Sequence, residues 1–456
     1  MKASRYNRIF LAESGTWLAF NAWSTALAEL IPEDLPFIRA ILADPDGTPC
    51  DTAHKREIRE ALVGAHFLVE SDVDEIAELK TDMLRDRYRT DELHLTVAPT
   101  LDCNFRCDYC YEDHLRVTMS REVQDALVRM VEEQAPRIRT LSTTWFGGEP
   151  TLPAAWRVVE RLSTAFLDIA ERRGIDYRAQ LVTNGYLLDR KRAEGLEALK
   201  IREVQFTVDG PPEIHDARRV LAGGQGTFWR IVENLEKGHE LAQFQLRINV
   251  DRRNAQAALD VVGILAEKGI ARKVRPYLAQ VTFAGSACGN IQESCFSSED
   301  FAATEVGLYR EALRRNLPLS RYPFRIPGAF CTVDRVNSFV VSPSGSIFKC
   351  WHQVTAGPDV AIGHLLDGEQ PFHRVNEVKW LTWDPLEKEE CPSCPVLPLC
   401  HGGCPFEALR RADSPRGACE HYRFHLDRIL EIQHARGAAS GSEAAPSRGG
   451  AGGSNP

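Results

Sequence analysis

The chain has 456 residues, 43% hydrophobic and 26% charged, enough for two or three domains around a sizeable core. Its formal net charge of -9 argues against a nucleic-acid partner held by bulk charge. No apolar run approaches the roughly 20 residues of a membrane span, and Met1-Lys2-Ala3-Ser4-Arg5-Tyr6 lacks the apolar core of a signal peptide, so no membrane partner and a cytoplasmic location are expected.

Residues 6 to 23 read as a hairpin: Tyr6, Ile9, Phe10 and Leu11, the turn Glu13-Ser14-Gly15-Thr16, then Trp17, Leu18 and Phe20. Leu35, Ile38, Ile41 and Leu42 share one helical face, as do Val73, Ile76, Leu79 and Met83. The pattern predicts a small winged-helix-like domain over residues 1–93, in which no residue looks chemical.

From 94 to 317 strands alternate with helices. Strands are predicted over 94–99, 141–146, 178–183, 203–208, 244–250 and 273–281, with a helix such as 120–134 between two of them. Six βα units predict an α/β fold whose parallel sheet curls into a partial (β/α)6 TIM-like barrel. Two strands carry a polar face. Phe244, Leu246, Ile248 and Val250 alternate with Gln245, Arg247 and Asn249; Val204, Phe206 and Val208 alternate with Gln205, Thr207 and Asp209. Helices cover the outside of a barrel, so these polar residues should face a cavity that holds a polar ligand; a wet edge strand is the alternative.

The chemistry-bearing motifs fall at the carboxyl ends of the strands, the catalytic rim of such folds. Cys103, Cys107 and Cys110, spaced C-x3-C-x2-C, follow the first strand. Three thiolates at that spacing can hold three irons of a cubane and leave the fourth bare; a zinc knuckle or three buried thiols is the alternative. Gly147-Gly148-Glu149-Pro150 follows the second strand, Thr183-Asn184-Gly185 the third and Val208-Asp209-Gly210-Pro211 the fourth. Two glycines let backbone approach a ligand closely, and their carbonyls with the Glu149 carboxylate can accept hydrogen bonds from an ammonium group. His215 reads as a loop anchor ahead of an acid or base.

Seven of the thirteen cysteines lie from Cys331 to Cys419, a density that points to metal in a reducing compartment. Cys331 precedes Gly345 by thirteen residues and Cys350 follows after four more; then come Cys391-x2-Cys394-x5-Cys400-x3-Cys404, and Cys419. The C-x2-C-x5-C-x3-C run alone could bind zinc or a cluster. Cys50, Cys288 and Cys295 are left over as buried thiols, and Trp351 and His352 read as packing. This region spans 318–436 and closes on a helix over 421–435; the Gly-, Ala- and Ser-rich segment 437–456 is expected to be disordered.

The C-x3-C-x2-C loop, with Tyr109 directly before its last cysteine and Gly-Gly-Glu-Pro one βα unit later, resembles the signature of the radical S-adenosylmethionine (radical SAM) superfamily. The string from Asp209 through His215 to Arg219 looks like that family's fourth strand and following loop. The resemblance implies a 4Fe-4S cluster on Cys103, Cys107 and Cys110 that binds S-adenosyl-L-methionine and splits it to a 5'-deoxyadenosyl radical. It implies that Tyr109 contacts the adenine and that Gly147, Gly148 and Glu149 hold the methionyl amino group. Asn184 and Asp209 would lie near ribose and carboxylate, with Arg247 a partner for that carboxylate; pairing with other side chains is the alternative for these three.

The seven C-terminal cysteines, in this order, resemble the SPASM domain with two auxiliary 4Fe-4S clusters. The carry-over assigns one cluster to Cys391, Cys394, Cys400 and Cys419, and the other to Cys331, Cys350 and Cys404. A fourth ligand for the second is not apparent; Cys288 or Cys295 reaches in, or one iron is open to a substrate thiolate. Many relatives that modify ribosomal peptides carry an N-terminal domain of this shape, which adds the leader of a precursor peptide as a strand; a packing extension is the alternative. The resemblance thus implies an oxidoreductase, a peptide (RiPP) maturase that takes hydrogen from a residue of a ribosomally made precursor peptide and forms a thioether or carbon-carbon crosslink. Flavodoxin or ferredoxin is the expected electron donor. The rivals are an anaerobic sulfatase-maturating enzyme, whose relatives generally lack the extension of about 90 residues seen here, and a non-enzymatic multi-cluster electron carrier.

Overall fold

The computed structural model describes residues 1–283, 291–368, 370–410 and 418–440. Its centre is a run of parallel strands, Glu92–Val97, Thr140–Trp145, Asp176–Val182, Ile201–Thr207, Gln243–Val250 and Pro276–Gln280, each paired with the next in chain order. These are the six strands expected, and amphipathic helices connect them. In the helix Arg121–Gln134 the Ser120 hydroxyl caps the Val123 amide, and Val123, Leu127 and Val131 turn inward. Pro153 opens the helix Pro153–Arg173, and Gly174, at φ +68°, ends it.

The two half-polar strands lie inside the sheet, each with a neighbour on both sides, so the edge-strand alternative falls. Val204, Phe206, Val208, Phe244, Leu246, Ile248 and Val250 are buried on the outer side, within the core shared with the helices. Gln205, Thr207, Arg247 and Asn249 face the cavity.

The barrel does not close. The free side of Glu92–Val97 pairs in parallel with Ser338–Val341, from the cysteine-rich region, and Ser346–Phe348 and Gly363–His364 continue the sheet antiparallel to nine strands. The C-terminal region is therefore joined to the barrel by backbone hydrogen bonds. Lys349, fully buried, donates to the carbonyls of Arg335 and Ser338 and locks the hairpin between Cys331 and Cys350.

The N-terminal unit holds three strands more than the predicted hairpin: Asn7–Leu11, Trp17–Asn21 and Leu27–Leu30 form an antiparallel meander, and Lys2–Ala3 pairs antiparallel with Leu68–Val69. Its helices are Leu35–Ala43, Ala53–Gly64 and Glu75–Arg87. Alternation along the strands gives the sheet two apolar faces. Ile9, Ala19 and Leu30 pack on Ile41, Leu62, Phe67 and Leu68, while Phe10, Phe20 and Leu27 belong to the same core as the barrel and as Leu426 and Leu430 of the last helix. Arg8 pairs with Asp427 and Glu13 with Arg428 across this junction, at 2.6 and 2.7 Å. Those ion pairs are exposed, so apolar burial carries the attachment.

That last helix, Tyr422–Ser440, runs past residue 437, where the expected tail begins; the remaining tail, 441–456, lies outside the described residues. Among the described residues no helix is long and apolar enough to cross a membrane.

Candidate active site

At the carboxyl ends of the barrel strands lies a cavity of about 730 Å³ whose wall includes Cys103, Cys107, Cys110, Tyr109, Gly147, Gly148, Asn184 and Arg247. The loop after the first strand is tied down locally. Asp102 accepts from the amide of Cys103 at 2.9 Å, and the amide of Phe105 donates to the Cys103 sulfur at 3.4 Å. Phe105–Cys107 then forms a short strand against Arg219–Leu221. Burial pushes the Cys103, Cys107 and Cys110 thiols up; Cys103 also feels the Cys107 thiolate, and Cys110 those of Cys107 and Cys103. Repulsion of this kind accompanies sulfurs gathered on one loop, as a cluster's cationic core requires.

Within the Gly-Gly-Glu-Pro segment the glycines reach the cavity wall and Glu149 does not. Gly147 and Gly148 have φ of +84° and +51°, and a Cβ on Gly148 would stand 2.3 Å from the carbonyl oxygen of Asp102. The glycines thus bring this backbone against the cysteine loop. Glu149 is fully buried, and its carboxylate accepts from the amide and hydroxyl of Thr151, the Thr183 hydroxyl at 2.7 Å and the Asn184 amide at 2.7 Å. It joins the second and third strand ends and does not present its oxygens to the cavity as an ammonium acceptor would. Glu112, which spacing did not single out, is a carboxylate on the cavity wall beside the cysteine loop: it accepts from the Gly148 amide at 2.6 Å, and burial raises it to about 7. Its only sequence signal is proximity to Cys110.

Asp209 also turns away from the cavity. It accepts from the Tyr109 hydroxyl at 2.6 Å and the Asn249 amide at 3.1 Å, and the Arg218 guanidinium stands 3.5 Å off. Fully buried, it takes the side-chain-pairing alternative. Tyr109 keeps its ring on the cavity wall while its hydroxyl also accepts from Arg219 at 2.5 Å and Asn249 at 3.1 Å. Asn184 remains at the cavity, its amide nitrogen 2.8 Å from the Asn104 carbonyl oxygen and 3.9 Å from the Cys103 sulfur. Arg247 donates to Asn249 at 2.7 Å and keeps a place on the wall. His215 is a loop anchor, as expected: its Nδ1 accepts from the Asp209 amide at 3.3 Å and its Nε2 meets the Thr227 hydroxyl at 3.0 Å.

The C-terminal thiols gather as the spacing suggested. Burial raises Cys331 and Cys350, and both feel the Cys404 thiolate. Burial likewise raises Cys391, Cys400 and Cys419: Cys391 feels the thiolates of Cys394 and Cys419, Cys400 those of Cys391 and Cys394, and Cys419 that of Cys394. Arg423 donates to the Cys394 sulfur at 2.8 Å. His401, Gly402 and Gly403 all take positive φ, and a Cβ on Gly403 would fall 1.6 Å from the Ala418 carbonyl oxygen, which brings Cys404 beside the segment carrying Cys419. Among the described residues no three His, Cys, Asp or Glu side chains converge closely enough for a single metal ion; a cubane attaches its thiolates at separate corners. The donors fit such clusters in type, four thiols in one set and three in the other.

Of the two candidate fourth ligands, Cys288 lies outside the described residues, and Cys295 packs on the cavity wall with Tyr109, Tyr111 and Phe283. Trp351 packs on Phe146 at 4.8 Å, and His352 is layered between Tyr111 and Phe406 at 4.6 and 4.8 Å. Burial, then Arg247 and Arg410, hold His352 down to about 4, so it is a neutral ring in an apolar stack.

Residues 97–251 match the family described as the Radical SAM superfamily. The serine-type anaerobic sulfatase-maturating enzyme of Klebsiella aerogenes is 23% identical over 355 residues, covering 73% of this chain and 84% of that protein. The PqqA peptide cyclase of Xanthomonas campestris pv. campestris (strain B100) is 24% identical over 340 residues, covering 70% and 84%. In fold the chain is similar to native anSMEcpe with bound AdoMet and Kp18Cys peptide, with a TM-score of 0.58 at 21% identity over 76% of this chain and 99% of that one.

Proposed function

We propose that this chain, an enzyme that carries a radical SAM domain over residues 97–251, modifies one residue of a ribosomally made peptide oxidatively. The observation that carries the proposal is the gathering of Cys103, Cys107 and Cys110 on the wall of a cavity lined by the polar faces of two interior strands. A 4Fe-4S cluster with S-adenosylmethionine, when bound there, supplies a 5'-deoxyadenosyl radical able to take hydrogen from carbon. The chain's own residues hold the loop and line the cavity. Asn184 and Arg247 offer polar contacts to the cofactor, the backbone of Gly147 and Gly148 on the cavity wall a place for its amino group, and the Tyr109 ring a wall for its adenine.

The C-terminal sets, Cys391, Cys394, Cys400 and Cys419 and, separately, Cys331, Cys350 and Cys404, would hold two auxiliary clusters that accept the electron left when a radical product becomes a closed-shell bond. Flavodoxin or ferredoxin would reduce the protein. A leader peptide would add as a strand at the N-terminal sheet, where the outer edges of Asn7–Leu11 and Leu27–Leu30 pair with no further strand among the described residues. Amide exchange that slows along one of those edges when a leader peptide is added supports this; unchanged exchange ends it.

Two products fit. The relation to a peptide cyclase supports a crosslink, and the equally distant relation to a sulfatase-maturating enzyme supports formylglycine formation. Anaerobic incubation with the peptide encoded beside this gene, and separately with a sulfatase-derived peptide, tests both. Loss of two hydrogens without reaction toward a hydrazide probe indicates a crosslink; a hydrazide-reactive aldehyde indicates formylglycine. Absence of deoxyadenosine from reduced, iron-loaded protein given S-adenosylmethionine would overturn both.

A further inference from the structure

Two arginines end the helix Pro212–Arg218, and they have different surroundings. Arg218 is paired: its guanidinium lies 2.8 Å from Asp251. Arg219 begins the next strand, and the antiparallel register sets it directly opposite Cys107, with Val220 opposite Arg106 and Leu221 opposite Phe105. Two further bonds hold that register: the Ala222 amide donates to the Asn104 carbonyl at 2.8 Å, and the Thr227 hydroxyl donates to the Arg219 carbonyl at 2.7 Å.

The Arg219 side chain is 7% exposed and reaches the cavity wall. Its guanidinium carbon stands 5.6 Å from the Phe105 ring centre and 6.0 Å from that of Tyr109, and one nitrogen donates to the Tyr109 hydroxyl at 2.5 Å. Its Nε is buried without a partner, and among the described residues no carboxylate forms an ion pair with it. The nearest carboxylate, Asp209, lies on the far side of that phenol, 2.6 Å from its hydroxyl, so among the described residues this buried cation has no carboxylate in direct contact.

We infer that Arg219 is a positioning residue for electron entry: its guanidinium favours the reduced state of the cluster held by Cys103, Cys107 and Cys110, and so raises that cluster's reduction potential. Reduction adds one electron and one negative charge to a body already anionic through its thiolates, and a nearby cation in a dry site offsets that added charge more than the charge already present. The inference rests on the proposed ligation of that cluster.

The test is a redox titration of the anaerobically reconstituted full chain with dithionite and mediators, following the paramagnetic signal that changes when S-adenosylmethionine is added. In Arg219→Gln the ratio of reduced to oxidised cluster at a fixed poise should fall about tenfold, about 59 mV downward for a one-electron couple. Arg219→Lys should stay within about twofold of the native ratio. A native ratio in an iron-replete Arg219→Gln protein overturns the inference, as does an equal shift in the lysine variant. Should Arg219→Gln lose iron, Arg219→Met supplies the comparison, and loss of iron in both would assign the residue to holding the loop and overturn the electrostatic role. If no signal in the native protein responds to S-adenosylmethionine, the proposed ligation fails instead.

Discussion

Tyr109 and Asp209, a hundred residues apart, meet in a 2.6 Å hydrogen bond that fastens the cysteine loop to the end of the fourth barrel strand. The same hydroxyl accepts from Arg219 and Asn249, so one phenol closes a polar network inside the cavity wall. Tyr109→Phe strands a buried carboxylate oxygen and two donors, at a cost of about 1–3 kcal/mol. The urea midpoint of the variant should fall accordingly; an unchanged midpoint would show that water or another donor takes the place of the hydroxyl.

Glu149 serves as a joint between strand ends, so its isostere should not replace it. Its carboxylate takes four donors, and Glu149→Gln sets an NH2 group against some of them. We expect a loss of about 1–3 kcal/mol of stability and weaker retention of the first cluster, read as iron per chain and as the S-adenosylmethionine-sensitive signal. A fully iron-loaded, equally stable Glu149→Gln would contradict the assignment.

His215 predicts a pH dependence with a definite sign. Burial, then Arg219 and Arg218, hold its imidazole well below the ordinary 6.5. The unfolded chain therefore binds a proton below about pH 6.5 that the folded chain refuses, so stability is complete above that pH and falls as pH drops, by at most about 1.4 kcal/mol per unit. His215→Gln should be less stable than the native chain at pH 7, yet lose less on going to pH 5. Urea midpoints of the metal-free proteins at three pH values would show it, and parallel curves would refute it.

Gly403→Ala is expected to act on the C-terminal thiols alone. A Cβ there meets the Ala418 carbonyl at 1.6 Å, and the backbone sits at φ +80°, so Cys404 and Cys419 must separate. Total iron should fall while the signal that responds to S-adenosylmethionine persists. Full iron content would mean that the two thiol sets tolerate that separation.

The six strands, two of them with a polar face, and the closeness of the cysteines along the chain could be read from the sequence alone, because both depend on short-range geometry. Three cysteines within eight residues cannot lie far apart, and a strand that alternates polar with apolar must turn one face to each environment. The N-terminal unit was legible only in part: the third strand, Leu27–Leu30, lacks a strong alternating pattern, and its pairing with Trp17–Asn21 reveals it.

Where each charge ends up was a tertiary decision. Glu149 reads as a ligand group until Thr151, Thr183 and Asn184 close around it. Asp209 reads the same way until Tyr109 arrives from the first loop, and Arg219 is one arginine of a pair until the register sets it across from Cys107. A buried charge takes the partners that the converging strand ends supply, and those partners lie too far along the chain for spacing to reveal them.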